Sequence, residues 1–594
     1  MADTQTGQDK NTFEIGLVLA GAVSAGAYSA GVIDFLIEAL DGWYAAKENE
    51  VLRGVPSEQR QVPPHNVCLR AISGASAGSM VGALAAVTLN EAPCAINPAH
   101  PPGKDDATNK LYSSWVVKAD IASMLTTGDL KKGWKLTSLL DSSFLEKLAG
   151  ATMVIRPPCQ PRAYVADPLA LFICVTNLRG VPYAIDFKGD SQDGSHGPSV
   201  TEHWMSNHSD YVKFNVVKPG GRPDGSAVPA GILLNPAPQN EVEKLTWEKL
   251  ARAALASGAF PLALAPRIVE QGAAVYDERE WAIPSSGYKK IPPDWDGKAP
   301  ADYFFLAVDG GVMNNEPLEY ARQEIAGVGR RNERDGDKAT RAVVMIDPFP
   351  DAIPFSADYA AEAGLFQVAG EIFKSLMSQA KFKIDELKLA RDPNVFSRFI
   401  ITPTRHLTEG ESKEKEKWPA LASNSLAHFG GFLYEEFRRH DFLLGRRNCQ
   451  RFLQKHFILP VENQLFDQWP PDLKKPGSPY LLTVKDGYHL PIIPLVGDLN
   501  SRTGEPQPPW PQMPEIELER LKKGLSLRIK LVLEQAISGL VGSGGKFLLL
   551  KAGRFILRLL AKPLLGWLAG WFAGKMVKMI RGNLSSAELL KTGH

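Results

Sequence analysis

Apolar and polar positions fall into three regimes along this chain. Up to about residue 350, short apolar runs of strand length alternate with longer periodic runs of helix length. Phe13–Ala20 predicts a strand, Gly21–Gly31 a small-residue turn, and Val32–Leu40 a helix. Val67–Ile72 predicts a second strand and Met80–Val87 a second helix. Ala163–Val165, Leu169–Thr176, Tyr303–Val308 and Arg341–Pro348 read as further sheet, Leu245–Ala256 as helix and 111–150 as helical. Residues 44–66 and 90–110 are polar and Pro-rich and read as excursions from the core. Such alternation predicts a layered α/β domain over 13–350. From 351 to 520 helical patterns dominate, notably 359–391, so a mostly helical accessory region is expected there. A polar break at Glu409–Glu416 interrupts it. Aromatics at 429, 432, 434, 437 and 442 recur near helical spacing, which reads as packing. Pro506–Pro514 is a Pro-rich linker, and 521–594 forms a third region.

Charge sharpens the third region. The net charge is only +1, yet Leu521–His594 holds 13 Lys/Arg and 2 Asp/Glu. A basic tail on an acidic body points to an anionic partner. Its longest uncharged run, Pro563–Gly574, is 12 residues, short of the roughly 20 that a spanning helix needs. Lys551, Arg554, Arg558 and Lys562 share one helical face, and Trp567, Trp571 and Phe572 suit headgroup depth. The expectation is an interfacial helix on a membrane surface; a helix packed on the body, or a homo-oligomer contact, is the competing reading. Nucleic acid is not expected as a partner. Met1–Thr12 lacks the pattern of a signal peptide, so a cytoplasmic, peripheral-membrane location is expected. The five cysteines (68, 94, 159, 174 and 449) are scattered and form no C-x-x-C, which argues against a disulfide framework or a zinc site. His196, His203 and His208 lie in a polar stretch that reads as a surface loop rather than a metal site.

Three turns carry candidate chemistry. Gly74-Ala75-Ser76-Ala77-Gly78 is G-x-S-x-G between a strand and a helix, either a nucleophile turn or a plain small-residue turn. Gly21-Ala22-Val23 and the glycines after it either cradle an oxyanion or permit close helix–strand packing. Asp309-Gly310-Gly311 ends a strand, where α/β folds place active groups and where ordinary turns also fall.

Together and in this order, these turns resemble the patatin-like phospholipase family over roughly residues 13–350. Asn315, Pro317, Gly26–Val32 and Ser257-Gly258-Ala259-Phe260-Pro261 add to the match. The resemblance implies a three-layer α/β core, Ser76 as nucleophile, Asp309 as its base, and no metal or organic cofactor. It implies acyl esters of phospholipids or other lipids as substrates. Oxyanion donors would be the N–H groups of Ala77 and of the Gly21–Val23 loop. One departure stands out: the family loop carries three glycines, then one residue, then Arg or Lys. Here Ala22 and Val23 replace two glycines and Ala25 the cation. A branched Val disfavours positive φ. Rival expectations are a Ser–His–Asp esterase using His406, His428 or His440, an acyltransferase, and a membrane scaffold without catalysis.

Overall fold

The computed structural model describes residues 10–591 except 93, 104–107, 131–134, 187–201, 220–229, 284–286, most of 350–383, 407–418, 427, 485–486, 501–504 and 544–549. The fold is α/β around a nine-stranded, mostly parallel sheet. Its strands are β1 (Thr12–Leu19), β2 (Asn66–Gly74), β3 (Val165–Asp186), β4 (Glu202–Val216), β5 (Ile232–Leu234) and β6 (Arg267–Gly272). A separate hairpin, β7 (Glu280–Ile283) and β8 (Gly287–Lys290), precedes β9 (Asp302–Asp309), β10 (Arg341–Ile346) and β11 (Arg398–Ile401). The order is β11-β10-β1-β2-β3-β4-β5, with β9 bridging β3 and β6. The first five strands of that order run parallel, and β4 and β9 pair antiparallel with β3. Strands β1 and β10 are buried along almost their whole length, as expected for parallel strands covered on both faces.

Register positions the strand ends. Leu19 of β1 lies opposite Gly74 of β2, and Gly74 opposite Ile173 of β3. Asp309, the last residue of β9, lies opposite Val175. The chain therefore leaves β1, β2 and β9 at one level of the sheet.

The helices that matter are α1 (Gly26–Leu52), α2 (Ala77–Thr88), α3 (Ser143–Thr152), α4 (Glu241–Ser257), α5 (Leu318–Ala326), α6 (Glu435–Lys455), α7 (Glu515–Ser543) and α8 (Leu550–Ser586). Among the described residues one helix, Val23–Leu52, is long and apolar enough to cross a membrane; 83% of its apolar window is buried, so it serves as a core helix. It runs further than its sequence suggests, through residues 44–52, which were expected to leave the core. Tyr44 and Lys47 explain this, because they hydrogen-bond Val67 and His65 at the edge of β2.

Other expectations need correction. The 111–150 stretch is helical only in pieces, including a π-helical turn at Ser113–Lys118 and α3, with Gly-containing turns between them. His203 and His208 sit on β4: His203 pairs with Ile185 of β3, and the His208 ring bonds the Asn177 carbonyl oxygen at a break in the register; His196 lies outside the described residues. Most of the helix expected over 359–391 also lies outside them, apart from a helix at Ile384–Arg391.

The boundary expected at 350 does not divide the molecule. Strand β11 extends the main sheet beside β10. Helix α6 crosses α1 so closely that a methyl on Gly31 would lie 1.9 Å from the Phe442 carbonyl oxygen, and one on Gly445 2.2 Å from that of Tyr28. Arg446 of α6, 1% exposed, pairs with Asp34 and Glu38 of α1 and with Glu505. The described residues of this region are also less helical than expected. A small antiparallel sheet of β12 (Ile458–Pro460), β13 (Leu482–Val484) and β14 (Gly487–Pro491) packs beyond α6. The last region begins at Glu515, and α7 and α8 form a helical pair. Part of it lies on the body: Leu518, Leu521, Leu525, Val577, Ile580 and Leu584 share a cluster with Leu125, Ala422 and Phe437. The face carrying Lys551 to Lys562 is helical in backbone, but its side chains lie outside the described residues.

Candidate active site

Ser76 caps α2 with φ 52° and ψ −128°, a conformation that non-glycine residues rarely adopt. A strained turn of this kind can lift a nucleophile off a strand end. Small neighbours make it fit: a methyl on Gly78 would lie 2.2 Å from the Leu19 carbonyl oxygen of β1. Gly74 is as crowded, its added methyl falling 2.7 Å from the Gly78–Ser79 peptide.

The Ser76 hydroxyl donates to Asp309 Oδ2 at 2.6 Å. Asp309 is 2% exposed, and its other oxygen accepts the Gly311 N–H at 2.8 Å. Burial pushes its pKa from 3.8 up to about 6, against the opposing pull of the Ser76 and Gly311 hydrogen bonds. A carboxylate with that pKa is a far better proton acceptor near neutral pH than an ordinary aspartate. Its backbone is held as well: Asp309 N–H donates to Ala259 O, and Thr176 Oγ1 donates to Asp309 O.

A chain of hydroxyls fixes the turn from behind. Ser76 N–H donates to Ser257 Oγ at 3.0 Å, Ser257 Oγ to Ser79 Oγ at 2.8 Å, and Ser79 Oγ to Gly74 O at 2.6 Å. Sequence reading did not single out Ser79. Ser257 lay inside a motif segment without an assigned role.

The β1 loop meets this centre. A methyl on Gly21 would lie 3.2 Å from Ser76 Cβ and 2.1 Å from Asn315 Oδ1. Gly21 N–H donates to Asn315 O. Val23 adopts φ 46°, so the branched side chain does not keep the loop out of the left-handed region as its sequence implied. What holds it is the second half of the chain. Ser24 donates from both N–H and Oγ to His428 O, and Gly431 N–H donates to Ser24 Oγ. Arg438, 2% exposed, donates to Gly431 O and Val116 O, each at 2.8 Å, and burial lowers its pKa to about 10. A brace from α6 thus stands where a glycine triplet and a loop cation were expected. Among the described residues, no protein acceptor takes the N–H groups of Ala22, Val23 or Ala77, and Val23 and Ala77 line the cleft above Ser76.

That cleft is almost wholly apolar. Met80, Leu84, Trp115, Leu148, Phe260 and Phe432 are among its walls, and Ser76 and Asp309 lie within it. None of His406, His428 and His440 lines it. His428 stacks on Phe349, His440 is buried against Asp441, and the His406 backbone bonds Gln507. Among the described residues no group of three or more His, Cys, Asp or Glu side chains is arranged to hold a metal ion.

No family model matches the chain. Over 568 residues it is 36% identical to an uncharacterized protein of Sinorhizobium fredii (strain NBRC 101917 / NGR234), y4iI; the match covers 90% of this chain and 77% of that protein.

Proposed function

The chain belongs to one family with Sinorhizobium fredii y4iI, and from its site we propose that it is a patatin-like lipid acyl hydrolase. The observation that carries this reading is the short Ser76–Asp309 hydrogen bond inside an apolar cleft. The three-layer patatin arrangement is part of the same proposal. Ser76 Oγ attacks the ester carbonyl carbon while Asp309 takes its proton. The tetrahedral oxyanion is held by the N–H groups of Ala77 and of the Ala22–Val23 loop, where one donor is typically worth about 3 kcal/mol. Collapse expels the alcohol, which takes the proton from Asp309. Water then gives a proton to Asp309 as its oxygen bonds the acyl carbon, and collapse breaks the bond to Ser76 Oγ, which takes the proton back from Asp309 as the fatty acid leaves. The cleft accounts for the acyl chain; a pocket lined this way offers a headgroup almost no polar contact.

The test is a panel of acyl esters and phospholipids assayed beside a fluorophosphonate probe. Ser76→Ala and Asp309→Asn are each expected to lower kcat/KM by at least about a thousandfold with unchanged circular dichroism. Probe labelling should vanish in Ser76→Ala. Undiminished esterase activity in folded Ser76→Ala protein would sink the proposal.

A further inference from the structure

Helix α8 has two apolar faces, and the body covers only one. Leu565, Ala569, Ala573, Val577, Ile580 and Leu584 recur at steps of three and four and are buried. Trp567, Trp571, Phe572, Met576 and Met579 point outward, 39–65% exposed. Five large apolar side chains bared within a few turns mark a surface made for something other than water. Cations flank them: Lys575 Nζ lies 4.0 Å from the Trp571 ring centre, and Lys578 is exposed beside it. No Asp or Glu occurs between Glu534 and Glu588. A second copy would bring the same cations against these, so self-pairing through this face is opposed by charge. Trp beside Lys is the chemistry of the bilayer interface, with rings at headgroup depth and ammonium groups toward phosphate.

The α7–α8 pair is also fastened to the cleft. Arg528 of α7, 2% exposed in its side chain, donates to Leu139 O at 2.9 Å, to Thr126 O at 2.5 Å and to the Asp129 carboxylate at 2.7 Å. Gly524 packs against Leu125. Met124 and Leu140, on the same gripped segment, line the cleft.

We propose that the Trp567–Met579 face of α8 seats on an anionic phospholipid bilayer, and that Arg528 holds one wall of the Ser76 cleft at that surface. The second half rests on the hydrolase reading; the first does not. The binding test uses the full chain carrying Ser76→Ala, so that no lipid is consumed, with phosphatidylcholine vesicles with and without phosphatidylglycerol. Binding should need phosphatidylglycerol and weaken with salt. Replacing Trp567, Trp571 and Phe572 together by Ser should weaken it at least tenfold, and Lys575→Glu with Lys578→Glu should abolish the preference for anionic vesicles. Circular dichroism reports whether each variant is folded. Unchanged vesicle binding by the folded triple variant overturns the proposal, as does a lipid-free dimer that the triple variant dissociates. With Ser76 restored, Arg528→Met, or the milder Asp129→Asn, should keep vesicle binding and cut hydrolysis of vesicle lipid at least tenfold relative to a soluble ester. Equal loss on both substrates would overturn the coupling. Absence of any hydrolysis by the unaltered protein would defeat the hydrolase reading and leave the binding result standing.

Discussion

In the proposed hydrolase, Asp309 ties activity and stability to pH in opposite senses. Its folded pKa of about 6 exceeds the unfolded 3.8, so the native state binds the extra proton between those values. Burial of this group costs nothing below pH 4, and the cost grows to roughly 3 kcal/mol once pH passes 6. In the proposed mechanism the base must be ionised, so kcat/KM should rise with pH through about 6 in the wild type. Denaturation of Asp309→Asn should show a stability gain over wild type that opens between pH 4 and pH 6.5 and is absent at pH 4. A gain independent of pH would mean that the carboxylate is not held as described. Val23 offers a second residue-level test. At φ 46° a β-branched residue carries strain that glycine relieves, so Val23→Gly should raise stability by about 1 kcal/mol and leave turnover equal or higher. A loss of turnover at unchanged stability would give the valine side chain a specific role in the cleft.

At the scale of elements, the crossing of α1 and α6 decides how much of the site forms. Gly31 and Gly445 let the two backbones touch, and α6 then brings Arg438 to the turn that braces Ser24. Gly31→Ala should therefore cost more than about 2 kcal/mol, as overpacking does, and should lower kcat with it. Gly570→Ala on α8, where an added methyl meets nothing within 4 Å, should instead gain up to about 1 kcal/mol of helix propensity. Thermal denaturation of the two variants compares them directly. The same elements show what a sequence can reveal. The turns carrying Ser76 and Asp309 were legible because each ends an apolar strand among small residues, and such turns are local; that the two belong together was implied only by the resemblance. Ser257 and Ser79 were not, since a buried hydroxyl chain has no spacing in sequence. The brace from His428, Gly431 and Arg438 was hidden for a further reason: its aromatic neighbours at helical spacing read as simple packing.

For the whole molecule, the third of the chain set apart as accessory completes the first. Without β11 the edge of β10 is bare, and without α6 the Asp34 carboxylate loses its buried cation. Residues 1–350 alone should fail to give a cooperative unfolding transition. A soluble, cooperatively folded 1–350 fragment with esterase activity would contradict this architecture. The alternation of strands and helices was readable; the late strand was not, because four residues, Arg398–Ile401, carry too little pattern to stand out among polar neighbours.

Ser24 waits for a partner 404 residues further along the chain. On a ribosome adding about 5–20 residues per second, that interval is on the order of 20–80 s. During it the Ser76 turn has emerged, while the loop beside it lacks the brace that His428, Gly431 and Arg438 provide. On the hydrolase reading proposed above, the loop beside Ser76 should thus stay unbraced until the chain has been made as far as His428 of its 594 residues.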